Sequence, residues 1–116
     1  MKAKIYHNPA CSKSRGALAL LREHGVDFEI IDYLRDPPSR PALARLLRKL
    51  GVAAIDLVRT AEPEFKQHVA HGGLQTEDAL LDLLQAEPRL LQRPIVEVGE
   101  RAKIGRPPED ILELLQ

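Results

Sequence analysis

The chain has 116 residues, with 17 Lys plus Arg against 17 Asp plus Glu, 44% hydrophobic residues and only 3% aromatic ones. That length suits one domain with an aliphatic core, and zero net charge argues against a general nucleic-acid binder, which needs a cationic surplus to displace counterions. One Cys excludes an internal disulfide, a Cys-rich zinc site and a Cys-x-x-Cys redox pair, and no apolar run approaches the roughly 18 residues of a membrane span.

Lys4-Ile5-Tyr6-His7 is short and β-prone and predicts a strand, broken by Asn8-Pro9-Ala10. From Ser12 the pattern turns helical, with Ala17, Leu18 and Leu21 on one face and Gly25 as the stop. Val26 to Tyr33 alternates apolar and polar for most of its length and predicts a second strand, with Asp27, Glu29 and Asp32 toward solvent. Together these elements predict a βαβ unit with parallel strands. Ser39 is a good N-cap for a helix with Leu43, Leu46, Leu47 and Leu50 on one face and Gly51 as the stop. Residues 55–71 predict two short helical pieces on either side of Glu62-Pro63, and Gly72-Gly73 a loop. Thr76 caps the next helix, with Leu80, Leu81 and Leu84 inward and a stop near Pro88. Ile95–Val98 and Arg101–Ile104, joined by Gly99-Glu100, predict a hairpin. Glu109–Gln116 predicts a terminal helix with Ile111, Leu112 and Leu115 inward. The order is β-α-β, a helical insertion over about 38–91, then β-β-α, in a single domain of the α/β class.

Cys11 falls between a predicted strand and the mouth of a predicted helix. Free backbone N–H groups and the helix dipole favour an anion there, so the thiol should ionise readily and act as a nucleophile. Ser12 and Ser14 add hydroxyl donors, Lys13 and Arg15 add charge, and His7 is placed to donate to the sulfur or to a bound anion. A lone Cys is often a small core residue, but Asn8, Ser12, Lys13, Ser14 and Arg15 make a poor wall for an apolar pocket. Arg93 and Arg106 each precede a proline at a strand end, and Arg59 lies in Val58-Arg59-Thr60-Ala61-Glu62-Pro63. Planar guanidinium groups bind oxyanions bidentately, and X-Pro bonds are the usual home of a cis peptide. His68 and His71 are spaced to face one helix side, but no third ligand is evident, so no metal site is expected.

His7-Asn8-Pro9-Ala10-Cys11-Ser12-Lys13-Ser14-Arg15 resembles the active-site loop of the glutaredoxin-linked arsenate reductase family. The likeness continues through Tyr33-Leu34-Arg35-Asp36-Pro37-Pro38-Ser39, Arg59-Thr60-Ala61-Glu62-Pro63, Arg93-Pro94-Ile95-Val96 and Gly105-Arg106-Pro107, in order along nearly the whole chain. It departs after the cysteine, where the best-known members have Gly-Thr-Ser and this chain has Ser12-Lys13-Ser14. The resemblance implies a thioredoxin-like fold with an inserted helical subdomain. It implies Cys11 as nucleophile, Arg59, Arg93 and Arg106 as the oxyanion-binding trio, His7, Ser14 and Arg15 as thiolate support, and Pro94 as a cis-proline. It further implies arsenate as substrate, glutathione as co-substrate and glutaredoxin as partner, with no bound cofactor. A cytoplasmic monomer that engages neither membrane nor nucleic acid is expected. Two other readings remain open at this level: a glutathione-dependent thiol reductase acting on another small substrate, and an Spx-like transcriptional regulator. The regulator senses redox state through Cys-x-x-Cys, and Ser14 occupies the second cysteine's position.

Overall fold

The computed structural model describes residues 2–70 and 76–115, with the Ala70 side chain left aside. The chain divides into two compact units, one of Met1–Asp36 with Arg93–Gln116 and the other of Pro37–Gln92.

The first unit is a four-stranded sheet with helices on one face. Strand β1 is Lys2–Tyr6, helix α1 is Ser12–Glu23 and strand β2 is Asp27–Ile31. Strands β3, Ile95–Val98, and β4, Arg101–Ile104, form the hairpin. The sheet order is β2-β1-β3-β4, with β1 parallel to β2 and antiparallel to β3. The predicted βαβ unit and hairpin therefore share one sheet, with β1 and β3 central. Being fully paired, the central strands carry the buried residues Ala3, Ile5, Ile95 and Val96. The edge strand β2 leaves Ile30 46% exposed, so its predicted alternation is only partial. His7 lies beyond the end of β1, although its N–H still donates to the Ile31 carbonyl at 3.0 Å.

One face of the sheet, with Ala3, Ile5 and Val96, packs on Ala17, Leu18 and Leu21 of α1 and on Ile111 and Leu114 near the C-terminus. The i, i+3, i+4 spacing of the α1 residues puts them on a single stripe. The terminal helix, Pro108–Leu115, is a 3-10 helix rather than the expected α-helix. In a 3-10 helix residues three apart eclipse. Ile111 and Leu114 are accordingly the buried pair, and Leu112 and Leu115 are only partly covered. Residue 116, included in the expected helix, is outside the described residues.

The second unit holds α2, Arg40–Leu50, α3, Pro63–Ala70, and α4, Glu77–Ala86. Two 3-10 turns accompany them, Ala54–Leu57 and Pro88–Leu90. The caps are those the sequence signals. Ser39 accepts from the Ala42 N–H and Thr76 from the Ala79 N–H, each filling an orphan donor, while Gly51 adopts a left-handed φ of 68°. Leu43, Leu46 and Leu47 of α2 and Leu80, Leu81, Leu83 and Leu84 of α4 are buried. Arg40 on α2 pairs with Asp78 at 2.8 Å and with Asp82, both on α4. The expected Gly72-Gly73 loop and His71 lie outside the described residues.

Candidate active site

The segment between β1 and α1 is a braced turn. The Cys11 N–H donates to the Asn8 carbonyl at 2.9 Å, and the Ala10 N–H donates to the Asn8 Oδ1 at 2.9 Å. The Asn8 N–H donates to the Ser14 Oγ at 3.3 Å, and the Arg15 guanidinium to the Pro9 carbonyl at 2.7 Å. Asx turns of this kind are what an Asn-Pro pair supplies. The first two bonds close the loop on itself, and the last two tie it to the first turn of the helix that follows. Ser14 is completely buried, and His7 and Asn8 nearly so.

Cys11 is the N-cap of α1, in extended conformation at φ −96° and ψ 121°, and it is half-buried. Burial pushes its thiol up. The backbone N–H groups of Ser14 and Lys13 and the guanidinium of Arg93 push it down and prevail, so the thiol lies below its ordinary value. The cause is the one foreseen for a helix mouth: the first-turn N–H groups lie on the thiol's side and favour its anion, although none closes a capping hydrogen bond on the sulfur. The agents differ in detail. Ser14 acts on the sulfur through its backbone N–H, while its hydroxyl accepts the Asn8 N–H. Arg15 braces the loop at Pro9. His7 is held well inside the protein; burial chiefly lowers its imidazole, Asp32 opposes that, and Arg15 and Arg22 reinforce it.

Arg93 and Arg106 meet at the base of the hairpin. The Arg106 Nη1 donates to the Arg93 carbonyl at 2.9 Å. The Arg93–Pro94 and Arg106–Pro107 peptide bonds are both cis. Gly105 donates its N–H to the Pro94 carbonyl at 2.8 Å, and a Cβ on Gly105 would stand 2.8 Å from the Pro94 Cγ. Glycine is therefore what lets the two proline-bearing segments lie side by side. Arg59 belongs to the helical unit. Its N–H donates to the Leu90 carbonyl at 2.7 Å, and its guanidinium lies 3.2 Å from Glu62.

The structure adds one residue that the loop and arginine signals did not single out. Tyr33, just beyond β2, is completely buried and lies among Arg93, Asn8 and Cys11. In the sequence it stands at the end of an alternating strand and opens one of the blocks that carry the resemblance, with no role attached; its relation to the thiol depends on β2 running parallel to β1. Among the described residues no cluster of three or more His, Cys, Asp or Glu is arranged to hold a metal ion. Nor, among them, is any helix long and apolar enough to cross a membrane.

A four-stranded sheet with a cysteine at the mouth of its first helix, facing the residue before a cis-proline, defines a thioredoxin-like fold. Comparison with known proteins narrows this further. The ArsC family model matches residues 6–114. An arsenate reductase of Neisseria meningitidis is 42% identical over 97% of this chain and 97% of its own length. The protein YfgD of Escherichia coli K12 is 43% identical over 98% and 97%. A solved arsenate reductase from Vibrio cholerae superposes with a TM-score of 0.92 at 40% identity, covering 97% of each chain. The chain belongs to the ArsC family.

Proposed function

We propose that this protein is an arsenate reductase whose nucleophile is Cys11 and whose reducing equivalents come from glutathione and glutaredoxin. One observation carries the reading: Cys11 stands at the N-cap of α1, where the backbone N–H groups of Ser14 and Lys13 and the guanidinium of Arg93 hold its thiol below the ordinary value despite burial. A thiolate beside a guanidinium suits attack on an anionic tetrahedral centre, because the cation both holds the substrate and offsets the charge repulsion of the encounter. The naming of relatives as arsenate reductases supports arsenate as that substrate.

In this reading Arg93 and Arg106 hold the oxyanion, and Arg59 joins them on the strength of its sequence motif. The Cys11 thiolate attacks arsenic and a water leaves, giving a cysteine-bound As(V) ester. Glutathione adds with loss of a second water. A glutaredoxin thiolate then attacks the glutathione sulfur. The two thiols leave as a mixed disulfide, and their two electrons reduce arsenic to As(III), still on Cys11. Hydrolysis releases arsenite and restores the thiol. External thiols are required because the chain has a single Cys. A low thiol pKa favours attack and also makes Cys11 a good leaving group. Arsenate-dependent NADPH consumption, coupled through glutathione reductase, glutathione and glutaredoxin, tests the reading. Turnover with other small disulfides but none with arsenate would refute it.

A further inference from the structure

Tyr33 has 0% of its surface exposed, and no group closes a hydrogen bond of proper geometry on its hydroxyl. Such a group is uncommon in a protein interior, since it has given up water without replacement. The phenol nevertheless has close polar neighbours in Arg93 and Asn8, with Cys11 nearby. None of the three meets its need for an acceptor in the structure. A guanidinium has only donors. The Asn8 Oδ1 accepts the Ala10 N–H, and neither its second lone pair nor the Cys11 sulfur closes a hydrogen bond with the phenol. Burial, foremost, raises the phenol above its ordinary value, against the pull of Arg93 and Asn8, so the O–H stays protonated at neutral pH and is available as a donor. An acceptor would arrive with any anion held by Arg93.

We propose that Tyr33 is a direct ligand of the oxyanion site, its Oη–H donating to an oxygen of a tetrahedral oxyanion bound between Arg93 and Cys11. The inference rests on the oxyanion reading above and adds a neutral donor to its cations. It also explains why a phenol stands here: phenylalanine would fill the same volume without burying an orphan hydroxyl.

The test uses the single thiol as reporter. Alkylation of Cys11 by iodoacetamide is followed by mass spectrometry while inorganic phosphate or arsenate is titrated in. Anion binding should slow alkylation of the wild type. In Tyr33→Phe the anion concentration for half-protection should rise on the order of tenfold to a hundredfold, the range expected for losing a hydrogen bond to a charged acceptor. Its alkylation rate against pH without anion should match the wild type, and its melting temperature should be equal or higher. Equal protection of both proteins overturns the proposal and leaves the oxyanion reading standing. Failure of either anion to protect even the wild type overturns both. A shifted alkylation profile with unchanged protection assigns the hydroxyl to the sulfur and overturns the proposal too. Should Tyr33→Phe not fold, near-UV absorption of the wild type decides. The chain has two tyrosines and no Trp, and the other phenol, Tyr6, donates to Glu97 at 3.2 Å. Saturating phosphate should red-shift the tyrosine band, and an unchanged spectrum overturns the proposal.

Discussion

The Arg106 guanidinium donates to the backbone carbonyl of Arg93 at 2.9 Å. One candidate anion-binding arginine thus holds the peptide that carries the other. Losing Arg106 would remove a cation and at the same time loosen the segment that points Arg93 at Cys11. Arg106→Ala should raise the KM for arsenate at least tenfold, since a hydrogen bond to a charged group is worth about 1.5–3 kcal/mol. It should also raise the Cys11 thiol pKa. Arg106→Lys should keep much of the charge without the planar fork and fall between the two. Steady-state kinetics beside an alkylation profile checks both effects, and an unchanged thiol pKa in Arg106→Ala would disprove the tether.

Cys11→Ser should abolish arsenate-dependent turnover and retain the fold, because the side chain caps no helix N–H and serine differs little in size. Circular dichroism and the coupled assay check this. Wild-type turnover in the variant would exclude Cys11 as nucleophile.

The thiol should also link stability to pH. It ionises more readily in the folded chain than in the unfolded one, where it titrates near about 8.5. The folded state therefore binds fewer protons between the two pKa values, and stability rises with pH across that window. The contribution is complete above the unfolded value and disappears as pH falls through the folded one. Denaturant midpoints of wild type minus Cys11→Ser should climb as pH approaches about 8.5. A flat difference would argue against a thiolate in the folded protein.

Gly105→Ala should be costly. Its methyl would stand 2.8 Å from the Pro94 Cγ and 3.2 Å from the Ile111 Cγ2, both on packed side chains. Relief requires moving Pro94, and with it Arg93. A loss of about 1–3 kcal/mol is expected from overpacking, together with a raised KM. Thermal melting and kinetics report the two consequences separately.

The C-terminal helix offers a test of register. Leu114→Ala should cost about 2–5 kcal/mol as a core truncation, whereas Leu112→Ala should cost about 1 kcal/mol or less. An α-helical terminus would reverse the order. Urea denaturation of the two variants distinguishes the alternatives.

Much of the molecule was legible in the residues. Ser39, Thr76 and Gly51 mark helix ends by local chemistry, and a cap needs no distant partner to form. The β-prone run Ile95–Val98 and the Gly99-Glu100 turn are equally local. Cys11 could be picked out because a polar loop at a strand-to-helix junction predicts its environment within a few residues. The terminal residues predict an α-helix where the structure has a 3-10 helix, because Ile111, Leu112 and Leu115 suit a 3.6-residue period as well as Ile111 and Leu114 suit a 3-residue one. The choice between them comes from packing on the sheet.

Tertiary structure alone decided the rest. That Ser14 would act on the sulfur with its backbone N–H, while its hydroxyl served Asn8, depends on the angle at which the loop enters α1. The meeting of Arg93 with Cys11 brings together residues 82 positions apart through the antiparallel pairing of β1 with β3. Tyr33 reaches the same thiol through the parallel pairing of β1 with β2. By itself the sequence determined a single cysteine, no net charge and the local signals that place the thiol at a helix mouth. Sheet order then decided which cation and which phenol face it, because spacing along a chain carries no information about which strands become neighbours.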